Sequence, residues 1–148
     1  MSTEHLHFKI GLSGTYWNKT PAWQVSLDHD VQASGQTDTP TDQVFYVEFD
    51  ADIAEDSPHA LKVSLTNKDN TDVIKGDDGI TIAQDMLLNI VSVDIDDISL
   101  GSLIWSHSEF VGDDPERPVL DNCVTLGWNG TWCLKFDSPF YIWLLSNL

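Results

Sequence analysis

Hydrophobic and polar residues alternate one by one along several short segments of the chain. Leu61, Val63 and Leu65 alternate with polar residues, and 6–12 shows the same period of two. Successive side chains of a β-strand point to opposite faces, so this period indicates strands with one buried face. Strands are predicted at 6–12, 23–28, 44–49, 61–65, 87–100 (one long strand or two consecutive ones), 103–105, 124–126 and 131–136.

Segments rich in Gly, Pro, Asp and Asn separate these strands. They predict a long loop at 29–43 and a surface loop at 106–122. The segment 140–148 is apolar on nearly all sides, which predicts a buried last strand or a short helix. About eight short strands without a helical period indicate a sandwich or a barrel. We expect an all-β, single-domain β-sandwich of jelly-roll type over residues 1–148.

The chain is strongly acidic, with a net charge of −17 from 24 acidic and 7 basic residues. Phosphates and anionic lipids are bound by basic side chains, so this balance argues against nucleic acid and membrane partners. The apolar runs are short, and the N-terminal residues lack the basic and apolar parts of a signal peptide. Without such a signal, a protein that leaves the cell must do so as part of a particle, by lysis or by a route that the sequence does not show. The expected location is then a virion or the extracellular space, and otherwise the cytoplasm.

The sequence lacks the common catalytic motifs. It contains no GxSxG, no HExxH, no phosphate-binding Gly loop and no dinucleotide fingerprint. Because Asp is abundant, counting alone leaves a carboxylate-based glycosidase open, although Glu is scarce. Cys123 and Cys133 flank a hairpin-like turn, where they could pair or remain two small buried thiols. We expect the protein not to be an enzyme.

An oxygen-rich segment lies between residues 67 and 85. Calcium takes about 6–8 oxygen ligands from carboxylates, amides and carbonyls. The spacing is not that of an EF-hand, and a solvated polar loop is the simpler interpretation. Calcium binding is the alternative, because the flanking strands could hold the ligands rigidly. The candidate ligands are Asn67, Asp69, Asn70, Asp72, Asp77, Asp78 and Asp85.

Several aromatic residues lie at strand ends or in turns. Tyr16 and Trp17 follow a Ser-Gly turn, Trp105 ends a predicted strand, and Trp128 lies in a Gly-flanked turn. Exposed rings pack against the C–H faces of sugars, while Asp, Asn and Gln bind the hydroxyls. These four are therefore candidate ligand-binding residues, with packing in the core as the alternative. Core positions are predicted for Trp23, Trp132 and Trp143.

The segment 59–100 carries a resemblance to a known family. It begins His-Ala-Leu-Lys-Val-Ser-Leu-Thr-Asn-Lys-Asp, and from residue 85 it reads Asp-Met-Leu-Leu-Asn-Ile-Val-Ser-Val-Asp-Ile. It resembles the small calcium-dependent xylan-binding carbohydrate-binding modules, whose strand reads His-x-Leu-x-(Ile/Val)-x-Phe-x-Asn-Asp. Lys68 departs from this pattern by separating Asn67 from Asp69. The resemblance implies calcium ligands at Asn67, Asp69, Asp72 and Asp85.

The C-terminal part carries a second resemblance. It reads Leu-Gly-Trp-Asn-Gly-Thr-Trp from residue 126 and Phe-Asp-Ser-Pro-Phe-Tyr-Ile-Trp-Leu-Leu from residue 136. It resembles small structural or carbohydrate-binding-like proteins of marine T4-like cyanophages. This implies a virion component that faces the glycans of a host surface.

The expected function is thus non-catalytic binding of a polysaccharide or surface glycan, with calcium as the candidate cofactor. Many copies on a particle would raise a weak single-site affinity by avidity. Two alternatives stay open. The protein could be a structural or assembly protein that binds only other virion proteins, or a glycoside-active enzyme with two carboxylates across a cleft.

Overall fold

Two β-sheets face each other in the structure, a computed structural model that describes residues 2–148. In chain order the strands are β1 (Thr3–Thr15), β2 (Ala22–Leu27), β3 (Asp30–Gln36), β4 (Phe45–Ala54), β5 (Pro58–Leu65), β6 (Ile74–Lys75), β7 (Ile82–Gln84), β8 (Leu87–Ile95), β9 (Ile98–Ser99), β10 (Ser108–Gly112), β11 (Leu120–Asp121), β12 (Thr125–Leu126) and β13 (Gly130–Asp137). The helices are a 3₁₀ turn (Asn70–Asp72), α1 (Leu103–Ser106) and α2 (Phe140–Asn147).

The first sheet has the strand order β12-β8-β1-β4, with β9 paired to β8, and the second has the order β11-β10-β13-β5-β2-β3. Strands β6 and β7 form a separate small hairpin. All of these pairings are antiparallel. The chain passes repeatedly from one sheet to the other, as it does between β1 and β2 and between β4 and β5. The prediction of an all-β sandwich is confirmed.

The hydrophobic core lies between the two sheets. Phe8, Ile10 and Leu12 of β1 are fully buried, as the alternation predicted. The rings of Phe8 and Phe136, one from each sheet, lie 6.2 Å apart. Burial of these apolar faces stabilises the packing of one sheet on the other.

The loop predicted at 29–43 is partly wrong, because Asp30–Gln36 forms strand β3. β3 lies at the edge of the second sheet and pairs only with β2. Most of its side chains are exposed, and only Val31 and Ala33 alternate with polar residues, which is too weak a pattern to indicate a buried face. Asp28 takes a φ of 55° in the tight turn that joins β2 to β3, a conformation that Asp tolerates better than most residues.

Two predictions in the second half of the chain are also wrong. The strand predicted at 103–105 is the four-residue helix α1, in which Leu103 and Ile104 are buried. A helix of one turn is too short to show a period. The surface loop predicted at 106–122 contains the strands β10 and β11, and Phe110 on β10 is fully buried.

The last segment is the helix α2, one of the two predicted alternatives. Phe140, Trp143 and Leu144 are buried, and their spacing of three and four residues places them on one helix face. The rings of Trp143 and Phe136 lie 6.2 Å apart, so this face packs on the core. No helix in residues 2–148 is both long and apolar enough to cross a membrane.

Candidate functional site

A cleft of about 550 Å³ lies at one end of the sandwich. Strand β5 ends there at Leu65, β10 ends there at Gly112, and β13 begins there at Gly130, as the pairing of these three strands requires. The loops that follow or precede these strand ends form the walls. The charged and aromatic residues that line the cleft are Lys68, Asp69, Asp85, Asp113, Asp114, Arg117 and Trp128.

The Asn129 side chain holds two of these walls together. Its Nδ2 donates to the carbonyl oxygen of Lys68 at 2.9 Å, and its Oδ1 accepts from the backbone N–H of Lys68 at 2.8 Å. The amide thus pairs with the Lys68 backbone as a neighbouring strand would. This pairing fixes the segment after β5 against the turn that carries Trp128.

The Lys68 side chain lines the cleft. Its Nζ lies 2.5 Å from Oδ1 of Asp85 and 2.6 Å from the carbonyl oxygen of Gly127. The Lys68 and Asp85 side chains are only 9% and 20% exposed, so the pair is largely removed from water. The backbone N–H of Met86 donates to the same Asp85 oxygen. Lys68 therefore joins the segments before β8 and before β13.

Asp69 and Asp72 form a second charged group, in which both carboxylates contact Lys19. Asp69 caps the 3₁₀ turn by accepting from the backbone N–H of Thr71, and its own N–H donates to Oδ2 of Asp72 at 2.9 Å. Nζ of Lys19 lies 2.8 Å from Oδ2 of Asp69 and 3.1 Å from Oδ2 of Asp72. The reciprocal capping bonds satisfy backbone donors at the start of the turn, and Lys19 ties the turn to the segment before β2.

These contacts shift the pKa values of both carboxyls. The hydrogen bond from Lys19 and then those from Thr71 lower the pKa of Asp69 to about 2. Burial opposes ionisation of Asp72, whose side chain is fully buried. The hydrogen bonds from Asp69, Lys19 and Asn18 outweigh that burial and lower the pKa of Asp72. Both groups are therefore carboxylates at neutral pH.

Asn67, the fourth predicted calcium ligand, contacts neither pair. Its Oδ1 accepts from the backbone N–H of Ala22 at 2.8 Å, and its Nδ2 donates to the carbonyl oxygen of Thr20 at 3.0 Å. Asp69 and Asp72 come together around Lys19, while Asp85 lies against Lys68. Nowhere in residues 2–148 do three or more His, Cys, Asp or Glu side chains group in a way that could hold a metal ion.

Trp128 is the predicted aromatic residue that lines the cleft. The guanidinium carbon of Arg117 lies 4.2 Å from the centre of its ring, and the ring of Phe110 lies 5.6 Å away. A Cβ atom on Gly112 would come within 2.5 Å of the Trp128 Nε1. Glycine at 112 is therefore what allows the indole to lie against the end of β10. The buried Trp128 N–H has no hydrogen-bond partner among residues 2–148.

The other predicted aromatic residues lie elsewhere. The Tyr16 hydroxyl donates to the carbonyl oxygen of Thr39, and Trp17, which is 40% exposed, donates its indole N–H to the carbonyl oxygen of Asp72. Trp105 is 51% exposed and lies on α1. This helix directly precedes the start of β10, whereas the cleft lies at the other end of that strand. The four aromatic residues therefore do not form one binding platform.

Sequence reasoning missed Asp113, Asp114 and Arg117, which lie in the loop after β10. The available signal was a run of charged residues between Gly112 and Pro118. Placing that run beside Trp128 requires the register of β10 on β13, which pairs Gly112 with Gly130.

Cys123 and Cys133 are free thiols, so the disulfide left open by the sequence is not formed. Burial raises the pKa of Cys133, which keeps this thiol protonated and weakly nucleophilic. Neither cysteine lines the cleft that contains Trp128.

No protein-family model matches the sequence, and none of the curated proteins is significantly similar to it. Two solved structures have a similar fold. The first is vCBM60 in complex with galactobiose, with a TM-score of 0.52 and 12% identity over 86% of this chain and 96% of that chain. The second is the selenomethionine form of vCBM60, with a TM-score of 0.53 and 10% identity over 87% of this chain and 89% of that chain. That structure is described as linking two families of calcium-dependent carbohydrate-binding modules by circular permutation. The chain thus has a fold similar to that of a carbohydrate-binding module.

Proposed function

We propose that this protein is a non-catalytic glycan-binding module and that its glycan binds in the cleft beside Trp128. The observation that carries the proposal is the composition of the cleft, which places one indole among carboxylates, two amides and a guanidinium. Sugars need this combination, because their C–H faces pack on apolar rings and their hydroxyls form hydrogen bonds. The similarity in fold to vCBM60, which has been solved with galactobiose, supports the same role.

Asp113 and Asp114 are the acceptors that we assign to the sugar hydroxyls. Both residues are exposed, and no salt bridge involves either within residues 2–148. Arg117 already covers one face of Trp128. A sugar that stacks on that face must displace the guanidinium, which can then donate to a hydroxyl. Apolar contact and hydroxyl recognition are in this way coupled through Arg117.

Calcium is the candidate cofactor that the family resemblance implies for this segment, and one similar structure is described as belonging to calcium-dependent families. The predicted ligands do not fit that ion, because Lys19 and Lys68 already contact Asp69, Asp72 and Asp85. The proposed binding therefore uses the protein's own side chains.

Glycan screening followed by calorimetry tests the proposal. Galactobiose and other oligosaccharides are screened, and the best ligand is titrated into the wild type and the double variant Asp113→Asn/Asp114→Asn. The double variant removes charge at the cleft, and Asn at 114 keeps an oxygen that can accept from the Glu116 backbone N–H, as Asp114 does. We therefore expect an affinity loss of at least tenfold, equivalent to ~1.4 kcal/mol. Chromatography of the recovered sugar should show no cleavage.

A matched control is Asp30→Asn, an exposed carboxylate on β3. Strand β3 begins where β2 ends at Leu27, opposite the end of β5 that reaches the cleft. This variant should bind as the wild type does. Equal affinity in all three proteins, or a cleaved sugar, contradicts the proposal.

We place this function on a virion or in the extracellular space, where many copies could act together. The phage-protein resemblance supports that setting, and the acidic composition is compatible with it. Immunodetection in purified particles, culture fluid and cell lysate tests it. Detection only in the lysate would favour the cytoplasmic alternative.

A role in assembly is the second candidate function, and the exposed apolar side chains of α2 and of the residue that follows it favour this role. Ile142, Leu145 and Leu148 are 64%, 73% and 86% exposed. Exposed apolar side chains that lie together are common in protein interfaces. Light scattering after size-exclusion chromatography tests this role. An oligomer that becomes monomeric in Leu145→Lys would support assembly, and a wild-type monomer would argue against self-association.

A further inference from the structure

The ammonium group of Lys68 is largely buried, so its charge would destabilise the fold if it had no partners. The Lys68 side chain is 9% exposed, and transfer of an unpaired ammonium out of water is strongly unfavourable. Asp85 supplies the opposite charge and Gly127 supplies a carbonyl oxygen. A cation held by a carboxylate and a backbone carbonyl is the arrangement that a bound metal ion would also use.

Lys19 neutralises a second acidic group of the same segment, the carboxylates of Asp69 and Asp72. Its Nζ contacts one oxygen of Asp69 and one oxygen of the fully buried Asp72. The charge on Asp72 is further compensated by donors from Asp69 and Asn18. Lys19 thus bridges the exposed carboxylate of Asp69 and the buried carboxylate of Asp72, which would otherwise repel each other.

These contacts leave few free oxygens for calcium. Oδ1 of Asp72 accepts from Asn18 and its Oδ2 accepts from Lys19 and Asp69, while both oxygens of Asp69 are used by Lys19 and Thr71. A calcium ion requires about 6–8 oxygen ligands at roughly 2.3–2.6 Å. To bind here it would have to displace two ammonium groups or lie beside them as a like charge.

We infer that Lys19 and Lys68 act as built-in cations, so that the segment from Asn67 to Asp85 is held in place by ammonium–carboxylate pairs and needs no divalent ion. The protein therefore departs from the calcium dependence by which its structural neighbour is described. Lys68 also positions the Gly127–Gly130 turn, since it contacts the Gly127 carbonyl oxygen and pairs its backbone with Asn129.

Thermal unfolding of the full chain tests this inference. The melting temperature of the wild type is measured in EDTA and in millimolar calcium, and we expect the two values to agree. Lys68→Met and Lys19→Met keep an unbranched side chain only one heavy atom shorter but remove its charge, so both should melt several degrees lower in EDTA. A ligand that binds only the native state raises the melting temperature, so a calcium-dependent rise in the wild type would overturn the inference.

Lys75→Met is the matched control, because Lys75 lies exposed on β6 within the same segment. It should melt as the wild type does, and a loss equal to that of the other two variants would show that the effect is not specific to these ion pairs. If the Met variants fail to fold, calorimetric titration of calcium into the wild type tests the inference by itself. Heat of binding at micromolar calcium would contradict the inference. None of these readouts uses a sugar, so failure here is distinguishable from failure of glycan binding.

Discussion

The guanidinium of Arg117 stacks on the ring of Trp128, with its central carbon 4.2 Å from the ring centre. The same indole also packs against the ring of Phe110 and against the backbone at Gly112. Arg117 therefore covers part of the Trp128 ring. A cation over an indole face is attracted by the ring quadrupole, and the attraction is modest at exposed positions.

Arg117→Ala should uncover Trp128 at a small cost in stability. We expect the free energy of unfolding to fall by about 0.5–1 kcal/mol, the usual strength of an exposed cation–π contact. Quenching of tryptophan fluorescence by acrylamide should increase. In a Trp128→Phe background the added substitution should have a smaller effect on both measurements. Equal effects in the two backgrounds would show that the two side chains act independently.

Glycine is required at position 130 but not at position 127. A Cβ atom at 130 would lie 2.5 Å from the Val111 carbonyl oxygen and 2.7 Å from the Gly112 Cα, and neither backbone can move away easily. At 127 the nearest atom, on Leu87, would be 3.9 Å away. Gly130→Ala should therefore destabilise the fold by about 1–3 kcal/mol, and Gly127→Ala should cost far less. Urea unfolding measures both, and similar losses would contradict the close approach of β10 and β13.

The strands that could be predicted from the sequence are those with one face in the core and the other face towards solvent. Leu61, Val63 and Leu65 are buried while Lys62 and Ser64 are not, and their alternation was visible without the structure. Strand β3 could not be found in this way, because it lies at an edge with most of its side chains in solvent.

The candidate site was only partly predictable for a different reason. Trp128, Asp69 and Asp85 were singled out by residue type, and they do line the cleft. Their partners come from distant parts of the chain: Lys19 is 50 residues from Asp69, and Lys68 is 59 residues from Gly127. Residue type shows which groups can bind a cation, whereas only the packing of the sheets shows which cation reaches them.

The imidazole of His59 should make the stability of the fold depend on pH. Its Nδ1 lies 2.7 Å from Oδ2 of Asp28 and its Nε2 lies 2.8 Å from the Ala54 carbonyl oxygen. Both partners are acceptors, so the doubly protonated ring satisfies both. Burial lowers the pKa of His59, but the bonds to Asp28 and Ala54 outweigh it and raise the pKa above its ordinary value of 6.5.

A raised pKa means that the His59 contribution is complete below pH 6.5 and is lost as the pH rises through the folded-state value. His5 and His7 have raised pKa values of the same sign, caused first by hydrogen bonds to Asp52 and Asp50. Only the difference between wild type and His59→Gln therefore isolates His59. That difference, measured by urea unfolding, should shrink above neutral pH. A constant difference would contradict the doubly protonated ring.

Asp72 should show the opposite dependence. Its pKa is lowered despite burial, so its contribution is complete above the ordinary value of 3.8 and is lost as the pH falls through the folded-state value. Asp72→Asn removes a charged acceptor and should cost about 1.5–3 kcal/mol at neutral pH. The cost, measured by urea unfolding, should diminish below pH 3.8. An Asp72→Asn variant as stable as the wild type at neutral pH would show that the carboxylate is not needed.

Mapping of a bound glycan by nuclear magnetic resonance places the ligand on the protein. The uniformly ¹⁵N-labelled chain is titrated with the tightest-binding oligosaccharide from the screen, and the backbone amide and indole N–H signals are followed. We expect saturating shifts at the Trp128 indole and at the amides of Asp113 and Asn129, with the Trp105 indole unchanged. Shifts centred on Trp105 and α2, with the cleft signals unmoved, would contradict glycan binding in the cleft.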